Sequence, residues 1–235
     1  MNWSGKIFIY CERGLDPGFW AEPLNALSNA AFVLAALLGL ALWRARPAGR
    51  REIVTLVLIA LVLAIGIGSF LFHTLATRWA AVSDTGPITV FMVAYLAYAL
   101  RRFVALPWWG TALGLATFLV ALPAAATLRC GAGPCLNGSV GYLPAFAALM
   151  LIGGVLLVRG RAAGPSLIAA GLIFLAALTA RSLDRTLCPY TILTASGGIG
   201  THFLWHVLNG ALLFVLLRAA ILHGAPPPVT RPAVA

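Results

Sequence analysis

Thr201-His202-Phe203-Leu204-Trp205-His206 opens an apolar run that extends to Ala220. The run has the ~20 residues that a helix needs to cross a hydrocarbon core of ~30 Å. His202 and His206 are four positions apart, so one helical face carries both. Polar, ionisable side chains inside a span are costly unless partners offset the cost, so other segments have to supply those partners. His73, in Gly68-Ser69-Phe70-Leu71-Phe72-His73, is the other histidine set in an apolar segment, and Asp84 follows eleven residues later.

The remainder of the 235-residue chain repeats the apolar pattern. It is 61% hydrophobic and 9% charged, with a mean hydropathy of +0.96. That composition belongs to integral membrane proteins and excludes a water-soluble domain. Seven spans are predicted, at 23–43, 53–75, 87–100, 108–126, 142–158, 166–182 and 201–220, so the fold class is an all-α seven-transmembrane helix bundle. Residues 1–22 form an extracytoplasmic N-terminal segment, 23–220 the seven-helix transmembrane bundle, and 221–235, with Pro226, Pro227, Pro228 and Pro232, a disordered cytoplasmic tail. Lys6, Glu12, Arg13 and Asp16 interrupt the first twenty residues, which therefore do not read as a cleavable signal peptide. The net charge of +10 comes from arginines in short runs between spans. They read as topology determinants and exclude a nucleic-acid partner.

Seven spans place alternate loops on opposite sides of the membrane. Arg44, Arg46, Arg50, Arg51, Arg101, Arg102, Arg159, Arg161, Arg218 and Arg231 fall on one side, and Lys6, Arg13, Arg78, Arg129, Arg181 and Arg185 on the other. Ten against six puts the N-terminus outside and the C-terminus in the cytoplasm, an arrangement that suits a bacterial inner membrane. All four cysteines then lie outside, where disulfides persist. The same topology brings His73, Asp84, His202 and His206 to one depth near the outer face.

Three neutral imidazoles with one open position describe a catalytic zinc site. Zinc supplies a nucleophilic water at neutral pH and polarises a carbonyl, which is hydrolase chemistry. Asp84 is a candidate acid/base. Ser69, one turn before His73, is a candidate donor to an oxyanion. A site near the membrane surface suits a lipid substrate that enters sideways.

These residues carry a resemblance. Gly68-Ser69-x-x-x-His73, then Asp84, then Thr201-His202-x-x-Trp205-His206 resemble the alkaline ceramidases, seven-span zinc amidases of the superfamily that includes adiponectin-receptor-like proteins. Tyr10-Cys11-Glu12 and Trp20-Ala21-Glu22-Pro23-Leu24-Asn25-Ala26-Leu27-Ser28-Asn29 are similar to the family's first-helix motif. The resemblance implies hydrolysis of the N-acyl bond of ceramide or a related lipid in a bacterial member. It implies His73, His202 and His206 as zinc ligands, Asp84 as acid/base and Ser69 as oxyanion stabiliser. It also implies a Cys11–Cys188 disulfide, with Cys130 and Cys135 left for a second, local one. Eukaryotic members carry calcium in the N-terminal segment. The matching positions here are Ile9, Tyr10, Glu12, Gly14 and Glu22, which keep two carboxylates, and Asp16 is a compensating oxygen source.

Plainer readings stand beside these. Asp84 with Thr85, Gly86 and Pro87 also fits the N-cap of the third helix. Ser69 alone would bond its own backbone. Asp184 between Arg181 and Arg185 reads as a local ion pair, Asn25, Asn29 and Asn209 as interhelical hydrogen-bonders, Trp205 and Phe203 as packing aromatics, and His223 as a solvated tail residue. The competing function is a seven-span lipid receptor or transporter with a structural metal and no turnover.

Overall fold

The computed structural model describes residues 2–131, 133–194 and 197–224, with the side chains of 192–197 left aside. Seven of its helical segments are long and apolar enough to cross a membrane. A bilayer offers the backbone no water, so each span must satisfy its own N–H and C=O groups, which an α-helix does. The first span is built from α1 (Pro23–Ser28) and α2 (Ala30–Ala45), and the others are α3 (Ile53–Leu75), α4 (Arg78–Tyr98), α5 (Trp108–Ala126), α6 (Leu143–Val158), α7 (Gly164–Leu187) and α8 (His202–His223). The break at Asn29 is stitched by its own side chain, whose amide donates to the carbonyls of Asn25 and Ala26. α8 is the most enclosed span, and it packs against α2 and α7.

The structure corrects several sequence boundaries. α4 begins at Arg78, nine residues before the predicted start, so Asp84 sits inside the helix and does not cap it. Thr77 is the cap, its hydroxyl accepting from the Ala80 N–H. Arg78, Ser83, Asp84 and Thr85 dilute the apolar signal there, and Pro87 imitates a first-turn proline although it lies within the helix. Pro87 has no N–H, so the carbonyl of Ser83 loses its usual donor. That carbonyl faces Gly68 so closely that any side chain at 68 would overlap it. α3 and α4 therefore approach most tightly beside Ser69 and Asp84.

α7 runs on to Leu187, five residues beyond the predicted end, which makes Asp184 a helical residue. α8 extends to His223, whose side chain is exposed as expected for a solvated position; the remainder of the predicted tail, 225–235, lies outside the described residues. The loop between α5 and α6 opens with β1 (Arg129–Cys130) antiparallel to β2 (Gly133–Pro134). A second small hairpin pairs β3 (Ile192–Thr194) with β4 (Gly197–Gly198). Disulfides join Cys11 to Cys188 and Cys130 to Cys135.

Candidate metal centre

α8 starts where Asp184 of α7 tells it to. The fully buried Asp184 carboxylate accepts from the N–H groups of Thr201 and His202 through Oδ1 and from Cys11 through Oδ2, each at 2.9 to 3.0 Å. The first N–H groups of a helix lack internal partners and favour negative charge, so a carboxylate from a neighbouring helix fixes the start of α8. Asp184 makes no ion pair with Arg181 or Arg185, which corrects the local reading. It sets the register of both α8 histidines.

His73 projects from the last turn of α3 and meets His202 and His206 in the interior. The ring centroids lie 5.2 Å (His73–His202), 4.7 Å (His73–His206) and 4.7 Å (His202–His206) apart, and all three residues are buried. One nitrogen from each ring lies within 4.8 Å of the others, close enough to share one ion. Among the described residues no other group of three His, Cys, Asp or Glu meets that condition.

The hydrogen bonds around the trio decide which nitrogens are free. His73 Nδ1 lies 2.5 Å from Glu22 Oε2, so it carries the proton and leaves Nε2 bare. Ser28 donates its hydroxyl to the Asn25 carbonyl, so its oxygen accepts from His206 Nδ1 at 2.8 Å, and His206 Nε2 is bare as well. His73 Nε2 and His202 Nδ1 are buried with no partner among the described residues. Buried polar atoms are seldom left unpaired, and a cation held among the three rings would give such nitrogens a partner. Carboxylate and hydroxyl partners on the far side of the rings are the usual means of fixing tautomer and orientation in metal-ligating histidines. Tyr10 stacks on His202 with centroids 3.7 Å apart, closing the trio from the N-terminal side. Burial pushes the Tyr10 phenol above its ordinary range, and the Arg181 charge opposes this only in part.

Ser69 and Asp84 are buried beside this cluster. The Asp84 carboxyl lies next to the Ser69 hydroxyl and within the field of His73 and Arg181. An apolar cavity lies deeper in the bundle, walled by Phe32, Ile65, Phe91, Phe118, Tyr142 and Trp205 among others, and Phe32 links it to the cluster, its ring centroid 6.1 Å from that of His206. Trp205 thus has a cavity-lining position in addition to its packing. Asn209 donates to the carbonyl one turn behind it and Asn25 to Glu22, so neither they nor Asn29 make the interhelical bonds expected.

A family model for ceramidase matches residues 10–224. The chain belongs to the ceramidase family. A comparison with curated proteins finds no match. Ceramidase membership implies a hydrolase acting on amide bonds of a lipid, and the histidine trio gives a ceramidase of this kind a place for a metal.

The residues do not fit the calcium that the resemblance raised. Both Glu22 oxygens are engaged, Oε1 by Arg13 and Oε2 by His73 and Asn25. These donors hold the Glu22 carboxyl below its ordinary range, although burial alone would raise it. Glu12 accepts from the Leu24 and Asn25 N–H groups at the start of α1, and Asp16 folds back on the Gly18 N–H. The three carboxylates are spent on three separate tasks and do not converge. Sequence reading missed Ser28 and Asp184 as organisers. Ser28 stood in the first-helix motif without a role, and nothing local marks Asp184.

Proposed function

We propose that this ceramidase-family protein is a zinc-dependent intramembrane amidase that cleaves the N-acyl bond of ceramide or a related lipid, giving a fatty acid and a free sphingoid base. The observation that carries the reading is the buried trio with bare imidazole nitrogens, one residue layer, Phe32, away from an apolar cavity. His73, His202 and His206 would hold the ion. A zinc ion supplies Lewis acidity, lowering the pKa of water to ~7 and polarising a carbonyl.

The chain's own groups account for the rest. The apolar cavity receives a hydrocarbon chain and excludes water from it. Asp84, kept dry beside Ser69, takes a proton from the attacking water and delivers it to the leaving amine nitrogen. The Ser69 hydroxyl donates to the carbonyl oxygen as negative charge develops there. The reaction side faces outward, with the N-terminus and both disulfides outside and the C-terminus in the cytoplasm. The placement of every cysteine pair at the end of the bundle that holds the trio supports this orientation.

The test is fatty acid release from ceramide by purified protein, with and without chelation and zinc add-back, alongside metal content of wild type and His202→Ala and His206→Ala variants. Chelator-sensitive turnover and loss of metal in both variants are expected. Bound zinc with no turnover of any N-acyl lipid would overturn the enzyme and leave the receptor or transporter.

A further inference from the structure

Arg13 is a buried cation with every donor used. Its Nε donates to Glu22 Oε1, Nη1 to the carbonyls of Asp16 (3.0 Å) and Gly18 (2.8 Å), and Nη2 to those of His73 (2.8 Å) and Thr74 (3.3 Å). A guanidinium has five N–H groups, and all five meet oxygen. The side chain is fully enclosed. Around one positive charge stand five oxygens from three stretches of chain, namely the 16–18 turn, Glu22, and the end of α3.

The end of α3 explains the arrangement. A helix leaves its last four carbonyls without partners and concentrates negative potential there. In α3 the Phe72 carbonyl accepts from the Ala76 N–H, those of His73 and Thr74 from Arg13, and that of Leu75 from Lys6 Nζ at 2.7 Å. Two cations of the N-terminal segment thus cap the helix whose last turn bears His73. Arg13 grips both the backbone of His73 and, through Glu22, the Nδ1 of its ring. The contact is on the side of the imidazole away from the bare Nε2.

We propose that the Arg13 guanidinium is a resident cation that holds Glu22 and His73 in place for metal binding, doing the work that a calcium ion would otherwise do for this segment. Arg13 is a positioning residue, and the metal centre is independent of calcium. The inference rests on the reading of the trio as a zinc site. Removing the guanidinium leaves the Glu22 carboxylate buried without its countercharge and frees it to rotate, so the His73 ring loses its fixed tautomer.

The experiment measures zinc affinity of detergent-purified protein by competition with a chromophoric chelator, for wild type, Arg13→Lys and Arg13→Ala. Loss of an orienting partner typically weakens metal binding 10- to 100-fold, which is the range expected for Arg13→Ala, with Arg13→Lys between it and wild type. Methylguanidinium added to Arg13→Ala should recover part of the loss and leave wild type unchanged, which a general loss of fold would not do. Wild type should show the same zinc affinity and melting temperature in calcium as in a calcium-selective chelator. A wild-type affinity that rises with calcium overturns the proposal even if Arg13→Ala does not fold. So does an Arg13→Ala protein that holds zinc as tightly as wild type. A wild type that holds no zinc at the trio overturns the metal-centre reading and this one with it.

Discussion

Ser28→Ala removes one oxygen and should weaken the metal site without touching a ligand. The Ser28 hydroxyl donates to the Asn25 carbonyl at 3.0 Å and its oxygen accepts from His206 Nδ1 at 2.8 Å. Alanine deletes the acceptor and leaves a buried imidazole N–H unpaired, which costs about 1–3 kcal/mol. The imidazole can recover by moving its proton to Nε2, the nitrogen that Ser28 leaves free, and Nε2 then cannot bind a cation. The unpaired N–H costs stability, while the proton shift puts the penalty on metal binding, where about 1.4–2.7 kcal/mol corresponds to the 10- to 100-fold loss typical when such a partner is removed. Competition for zinc against a chromophoric chelator reads this directly. Ser28→Thr keeps a hydroxyl and should stay nearer wild type than alanine does. Alanine affinity equal to wild type, in a protein that melts at the same temperature, would refute the tautomer argument. A loss as complete as that of His206→Ala would refute it from the other side.

Asp84→Asn should keep its zinc and lose about 100- to 10,000-fold in turnover, the usual worth of a positioned acid/base; Ser69→Ala should lose about 100- to 1,000-fold. Activity lost only together with metal would move either residue from catalysis to structure. Gly68→Ala forces a methyl against the Ser83 carbonyl, which faces it directly. It should part α3 from α4, lower the melting temperature and reduce turnover together, and a fully active, equally stable variant would show that the helices do not meet as described. Burial raises the Glu12 carboxyl above its ordinary 4.5, the Leu24 and Asn25 N–H groups opposing only in part. The unfolded chain therefore ionises first, and the stability of wild type relative to Glu12→Gln should fall as the pH rises from 4.5 through the raised value. Thermal unfolding across that window checks the sign.

The seven spans were legible because a bilayer demands length and hydrophobicity and little else. The three histidines were legible for the converse reason, since an imidazole in an apolar run is costly and needs an explanation. The start of α4 was not legible. Its first two turns carry Arg78, Ser83 and Asp84, whose polarity serves the site and masks the helix, while Pro87 copies an N-terminal signal in mid-helix. Asp184 was misread because its obvious neighbours along the chain are arginines, whereas its partners, the N–H groups of Cys11, Thr201 and His202, are backbone atoms that no residue pattern encodes. Glu22 was singled out for the wrong cation. Nothing in spacing reveals that Arg13, nine residues before it, turns inward to take its charge.

The bond between Cys11 and Cys188, 177 positions apart in sequence, closes a covalent ring that contains α1 to α7 and omits α8. Two of the three histidines therefore lie outside the ring, on α8, which follows it in the chain. A nascent chain has produced both sulfurs before it has produced either of those imidazoles, so the ring is able to close around an incomplete pocket. α8 packs beside Ala31 through Gly210, where any larger residue would collide with the first span. A chain that stopped after the ring would carry His73 alone of the three histidines.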